Sequence, residues 1–457
     1  MSSAGFAPQY PPAMRGAIAA GHPLTAEAGA RVLRDGGNAV DALLAAAFTA
    51  FVTEGPLTGP AGGGFMLVHE PGSETTVLEC FFAAPAGRLG EMEEILIDFA
   101  DSGTQIFHIG LGSVAVPGLL KGLEEAHRRF ATRTWADLVS PAIDLARAGV
   151  ECDEPRLFLH RILAPILLHQ EAGRRVYGDV VRVRTSDLVP TLERVRDVGA
   201  ETVAEILPEF ADDLRSYRVA TPAPLQTTVL GRRILTMPAP SLGGAVVERV
   251  LEALAAAGEP TLEDEARAVA SAYGGSGSGP LTGTTHVSVV DASGTAAALS
   301  STLGSGSGIF RAGAQLNNML GELDVIGPGE HLPGERLASM MTPTLVLEDG
   351  RPRLVVGSAG SVRLAGAIAQ VTWRILRGTH VAEAIRAPRL HVDGTTVHLE
   401  GGWDDDAVAT LPATWDVVRW EGINLFFGGV QAVERAADGT LEASGDPRRG
   451  GVGLVVQ

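Results

Sequence analysis

The sequence predicts an α+β protein: one mixed body, interrupted once along the chain but not in space. Three observations carry that reading. Helical and strand patterns both occur before residue 273, a glycine–serine segment at 274–283 then breaks them, and beyond it short β-branched strands dominate. Helices return at 364–377 and 381–386, so sheets and helical layers stand on both sides of one linker.

Taken in order, Thr25 is a candidate cap for a helix over 26–34, which Gly36-Gly37 stops, and a second helix follows over 39–52. Gly62-Gly63-Gly64 is a turn feeding a buried strand through Val68, and 75–79 continues the β pattern. No Lys-Ser/Thr follows those glycines, which argues against a phosphate-binding loop. Residues 116–148 read as helical, with Leu119, Leu123, Ala126 and Phe130 at helical spacing, and 155–203 stays mostly helical and charged. A strand at 229–237 and a helix at 246–257 precede the linker. After it, 284–290 and 295–302 flank Asp291-Ala292-Ser293-Gly294, a hairpin turn. Segments 345–347, 354–356, 396–399, 417–420 and 452–456 supply further strands.

Composition narrows the function classes. The chain has 457 residues, 45% hydrophobic and 20% charged, the balance of a folded protein rather than a disordered one. A net charge of −18 with no basic patch argues against a nucleic-acid partner. Cys80 and Cys152 form one bridge at most, so there is no disulfide framework. The stretch 1–15 lacks the pattern of a secretory signal, and the apolar run 39–52 is too short to cross a bilayer. A cytoplasmic protein without membrane attachment is the expectation. The histidines form no pair at metal-ligand spacing and Asp404-Asp405-Asp406 reads as a solvated loop, so no metal or cofactor is expected.

The segment that carries chemistry is Gly283-Thr284-Thr285-His286-Val287-Ser288. A glycine–serine linker fits an ordinary domain boundary as well as a processing site, so the strand that follows decides the case. A threonine at its head can attack the carbonyl that precedes it and, once cut free, can use its own α-amine as base for its hydroxyl. The hairpin register would set Ser301 or Thr302 across the ladder from Thr284. His286 shares a strand face with Thr284 and Ser288 and is a lesser candidate, because the amine already supplies a base.

At these residues the sequence resembles the γ-glutamyltranspeptidase family of N-terminal-nucleophile hydrolases, over nearly the whole chain. Gly21-His22-Pro23-Leu24, Gly36-Gly37-Asn38-Ala39-Val40-Asp41-Ala42, the glycine strand entry, Val116-Pro117-Gly118 and Pro240-Ser241-Leu242-Gly243-Gly244 match in order. Thr284-Thr285-His286, Leu316-Asn317-Asn318, Thr342-Pro343-Thr344, Ala387-Pro388-Arg389 and Asp446-Pro447-Arg448 complete the series. The resemblance implies an αββα four-layer sandwich and self-cleavage into segments 1–283 and 284–457, which stay together as one structural domain. That heterodimer could pair again. The resemblance further implies Thr284 as nucleophile, Thr302 as its activating partner, and the amides of Gly360 and Ser361 as the oxyanion hole, with Ser361 standing where the family has glycine.

The implied substrate residues depart more from the family. Phe81 takes the place of the arginine that holds the substrate's α-carboxylate, Gly304 that of an asparagine, and Glu322 that of the aspartate for the α-amino group. Gly321 replaces that aspartate's neighbour, and Ala338-Ser339-Met340 stands for the usual Ser-Ser-Met. The chain is also short, with the helix before the linker cut back to 263–273. The leading expectation is therefore an acyl-Thr284 hydrolase or acyltransferase acting on a small-molecule amide other than a γ-glutamyl one. The alternatives are C–C hydrolysis of a keto acid in natural-product biosynthesis, a true γ-glutamyl enzyme with a rebuilt site, and a non-catalytic scaffold.

Overall fold

The computed structural model describes residues 15–98, 104–179, 181–274, 283–327, 329–436 and 438–457. Most of the glycine–serine linker, 275–282, and the N-terminal stretch before Arg15 lie outside the described residues.

Two six-stranded antiparallel sheets stack face to face. The first runs Val452–Val456, Gly16–Ala20, Gly283–Asp291, Ala296–Gly304, Gly63–His69, Thr76–Cys80. The second runs Leu441–Ser444, Gly429–Arg435, Arg351–Ala359, Thr344–Glu348, Arg232–Thr236, Leu225–Val229. Period-two alternation puts Phe65, Leu67 and Val77 between the sheets, whereas Met66, Val68, Leu78, Val287 and Val289 face an outer helical layer. That layer is built from Pro23–Arg34, Ala39–Thr53, Leu119–Phe130 and Trp135–Ala148. Helices Gly243–Ala257, Leu262–Tyr273 and Leu364–Leu376 cover the other sheet. This is the four-layer αββα sandwich the resemblance implied. Both sheets take strands from both sides of the linker, and the strand headed by Thr284 is central in the first.

Several sequence motifs turn out to hold the frame. Asn38 and Asp41 form a reciprocal cap on helix Ala39–Thr53, and Asp41 also accepts from the amides of Thr132 and Arg133 at 2.9 and 3.0 Å. Arg389 and Arg448 are fully buried with Asp446 and Glu400, at 2.6 Å for Arg389–Asp446 and 2.5 Å for Arg448–Glu400. Fixed guanidinium forks on shared carboxylates pin the C-terminal segment to strand Gly429–Arg435, whose Val430 amide also bonds Asp446 at 2.8 Å.

Local readings were corrected in places. The first helix begins at Pro23 with His22 as its cap, because proline suits the first helical position and the His22 ring accepts from the Leu24 amide at 2.9 Å. Residues 229–237 are not one strand. They belong to the hairpin Leu225–Val229 and Arg232–Thr236, turned by Leu230 and Gly231 with φ of 49° and 77°. Cys80 is buried and Cys152 half-buried, both as free thiols, and burial pushes the Cys80 thiol up. Asp404 caps the short helix Asp405–Ala409. No helix among the described residues is long and apolar enough to cross a membrane.

Candidate active site

Strand Gly283–Asp291 pairs with Ala296–Gly304 so that Gly283 faces Gly304 and Thr285 faces Ser301. The register slips between them, and Thr284 sits in the irregularity. Bulges of this kind re-aim one side chain without ending the ladder. The expected cross-strand neighbours therefore divide their roles. Ser301 pairs with Thr285 and bonds Thr58 at 2.9 Å, while the Thr302 hydroxyl donates to the carbonyl oxygen of Gly283. Thr302 in turn accepts from the Gly304 amide at 2.7 Å, which directs its proton toward that carbonyl. In the uncut chain, Thr302 thus grips the bond preceding Thr284 rather than the Thr284 hydroxyl.

The opposite face of the same backbone rests on a group the sequence reading missed. Thr285 donates to Glu54 at 2.6 Å, and Thr25 donates to the other oxygen of that carboxyl at 2.9 Å. Glu54 is buried at the end of the apolar helix Ala39–Thr53, and burial raises its pKa against the pull of Thr285 and the Arg156 charge. The only local signal was a glutamate closing an apolar run.

Phe81, Thr284, Thr302, Gly304, Glu322, Ser339, Met340 and Ser361 line one narrow cleft, joined by Met319, Val325, Met341 and Leu364. The sequence-predicted residues thus converge, and Gly360 adjoins them as the residue before Ser361. Among the described residues, no arginine or lysine lines this cleft. The Phe81 ring is fully buried, stacked on Phe65 at 5.0 Å and edge-on to Phe82 at 4.9 Å. Its amide and carbonyl are both held, by Glu79 at 2.7 Å and the Tyr217 hydroxyl at 2.5 Å. It is a fixed aromatic wall.

Glu322 reaches the cleft from behind Gly304. One carboxyl oxygen accepts from the Ser305 amide and hydroxyl at 3.0 and 3.1 Å, and the other is buried without a hydrogen-bond partner among the described residues. Burial raises its pKa to about 7, opposed by the bonds from Ser305 and Asn318. Gly304 has φ +67°, and a Cβ there would come within 2.3 Å of Asn318 Oδ1 and 3.0 Å of Glu322 Oε1. A side chain there would have to displace Asn318 and Glu322, and the positive φ would strain it. Ser339 accepts from the Met341 amide at 3.1 Å, and its backbone bonds Pro240 and Leu242, so the Pro240-Ser241-Leu242 motif braces this wall.

Gly360 adopts φ +132°, and a Cβ there would lie 2.7 Å from the Cα of Gly428, so only glycine suits the position. Ser361 follows at φ +57°, a left-handed conformation that costs a non-glycine residue roughly 1 kcal/mol or more. The chain then enters the turn Ser361–Arg363 and helix Leu364–Leu376. Amides at such an N-terminus favour developing negative charge. Among the described residues, neither the Gly360 nor the Ser361 amide donates in a turn or loop hydrogen bond. His286 is not part of the cleft. Its ring bonds Ser300 at 2.8 Å and Ser288 at 2.9 Å between the sheets, and burial lowers its pKa to about 3.

A four-layer αββα sandwich with a threonine heading a central strand beside backbone amides defines an N-terminal-nucleophile hydrolase. The chain belongs to the gamma-glutamyltranspeptidase family, whose family model matches residues 25–201 and 261–456. It is 26% identical to the glutathione hydrolase proenzyme of Bacillus subtilis, over 96% of this chain and 91% of that one. It is likewise 26% identical to the acylase ACY 1 proenzyme of a Pseudomonas species, over 97% and 94%. The solved cephalosporin acylase of Bacillus halodurans shares the fold with a TM-score of 0.83 at 19% identity, covering 99% of both chains.

Proposed function

We propose that this enzyme cuts itself before Thr284 and then works as an acyl-Thr284 hydrolase or acyltransferase on an amide that is not γ-glutamyl. The observation that carries the substrate reading is the cation-free cleft with Phe81 packed as its wall. An α-carboxylate bound there would lose a charge-assisted contact worth about 1.5–3 kcal/mol. Met319, Met340, Met341, Val325 and Leu364 offer adaptable apolar contact instead. The unpartnered oxygen of Glu322 supplies one polar anchor, suited to an amine or another donor on the acyl part.

For self-cleavage, Thr284 Oγ attacks the Gly283 carbonyl carbon while Thr302 steadies the carbonyl oxygen. The Gly283–Thr284 C–N bond breaks as the acyl group shifts to Oγ and the hydroxyl proton passes to the freed nitrogen; water then hydrolyses the ester, leaving a Gly283 carboxylate and the Thr284 hydroxyl. The two curated relatives named above are proenzymes, which supports processing into a two-chain heterodimer. In turnover, Thr284 would pass its hydroxyl proton to its own α-amine, form the acyl ester, and return the proton to the leaving nitrogen.

Intact mass of purified protein, with Thr284→Ala as control, tests the first half. Two fragments in the wild type and one in the variant are expected, whereas an uncut wild type would favour a scaffold role. Release of p-nitroaniline from apolar acyl anilides and from the γ-glutamyl anilide tests the second half. Faster release from the γ-glutamyl compound would overturn the substrate assignment.

A further inference from the structure

Four described non-glycine residues have left-handed backbones: Leu230, Ala312, Asp349 and Ser361. The first three each precede a glycine at a tight turn, Gly231, Gly313 and Gly350, where such geometry is ordinary. Ser361 instead follows Gly360 and leads into a helix. Its residue is only 4% exposed, and its hydroxyl is buried with no hydrogen-bond partner among the described residues while lining the same cleft as Thr284. Strain held at a buried, unsatisfied polar group inside a reaction cleft points to a contact made only when substrate is present.

We propose that the Ser361 hydroxyl is a third donor to the oxyanion, beside the amides of Gly360 and Ser361. The inference rests on the acyl-Thr284 reading. As Thr284 Oγ bonds the acyl carbon, the carbonyl π pair moves onto oxygen and the Thr284 proton goes to its α-amine. The new oxyanion then accepts from the two amides and from Ser361 Oγ–H, until the pair returns, the C–N bond breaks and the α-amine hands its proton to the leaving nitrogen. Self-cleavage does not need this donor, because Thr302 already holds the scissile carbonyl.

Self-cleavage and acylation by p-nitrophenyl acetate would be followed in the wild type, Ser361→Ala and Ser361→Gly. The alanine variant keeps the Cβ and the strained backbone, and the glycine variant relieves both. Both are expected to acetylate Thr284 about 100-fold more slowly in kcat with little change in KM, and to lose much less in the rate of self-cleavage. An alanine variant that acetylates as fast as the wild type would overturn the third donor. So would a rate lost in the glycine variant alone, which would assign the effect to backbone shape. Failure of the alanine variant to cut itself would overturn the division of labour with Thr302. A processed wild type that never becomes acetylated would sink the acyl-enzyme reading together with this one.

Discussion

Glu54 and Thr285 share a buried hydrogen bond of 2.6 Å on the side of the backbone away from the cleft, one residue past Thr284. The bond fixes the strand where its ladder slips, and with it the direction in which Thr284 projects. Replacing Glu54 by alanine strands the Thr285 hydroxyl in the core and leaves Thr25 with its bond to Thr53 at 2.8 Å. A loss of about 1–3 kcal/mol in urea unfolding is expected, with self-cleavage slowed about tenfold in a gel time course. Glu54→Gln, which still accepts from Thr285, should cut itself at close to the wild-type rate.

Thr302 contributes a hydroxyl and a β-methyl, and only the hydroxyl touches the Gly283 carbonyl. Thr302→Ser should retain self-cleavage, while Thr302→Val should slow it at least 100-fold, measured by intact mass over hours. A valine variant that cuts normally would remove Thr302 from the processing step.

Burial raises the Glu322 pKa from its ordinary 4.5 to about 7. Below pH 4.5 the carboxyl is protonated in both folded and unfolded chains, so its contribution is fully present. Between pH 4.5 and about 7 the unfolded chain ionises first, and stability falls. Glu322→Gln remains neutral throughout, so it should gain on the wild type by up to roughly 3 kcal/mol as pH rises through that window, then run parallel to it. Urea midpoints at pH 4.5, 6 and 8 measure the difference, and a constant offset would contradict the assignment.

A side chain at Gly304 would push into Asn318 and Glu322 on a left-handed backbone, so an asparagine there should damage the site. Gly304→Asn and Gly304→Ala are both expected to lose about 1–3 kcal/mol and to cleave slowly. Wild-type cleavage in the asparagine variant would show that Asn318 and Glu322 can give way.

The chemistry of this site was more legible than its support. Thr284 stood out by the glycine–serine segment before it, whereas Thr302, Gly360 and Ser361 were picked out by the family resemblance, and Thr284, Thr302 and Ser361 line one cleft. The turn at 291–294 was equally plain, since Asp291 and Gly294 carry its hydrogen bonds. Glu54 was not, because its partners Thr25 and Thr285 are far away in sequence and meet only after the sheet and helix pack. Thr25 looked like a cap on local pattern, and Pro23 with His22 outcompeted it. The hairpin Glu93–Asp98 and Thr104–Ile109 was also overlooked, its burial being too partial for clean alternation. The tight space around Gly304 was likewise invisible, because Asn318 and Glu322 reach it only in the folded chain.

Because each sheet interleaves strands from both sides of residue 283, a cut there would divide the covalent chain without dividing the core. Before the cut, folding is a unimolecular search. After it, the same native contacts would require two separate polypeptides to find each other, and dilution would enter the equilibrium. The precursor would then be the species equipped to fold, and the processed enzyme would persist by slow unfolding rather than by an ability to return. Activation would thus act as a ratchet, tying the lifetime of each working molecule to a folding event it cannot repeat unaided.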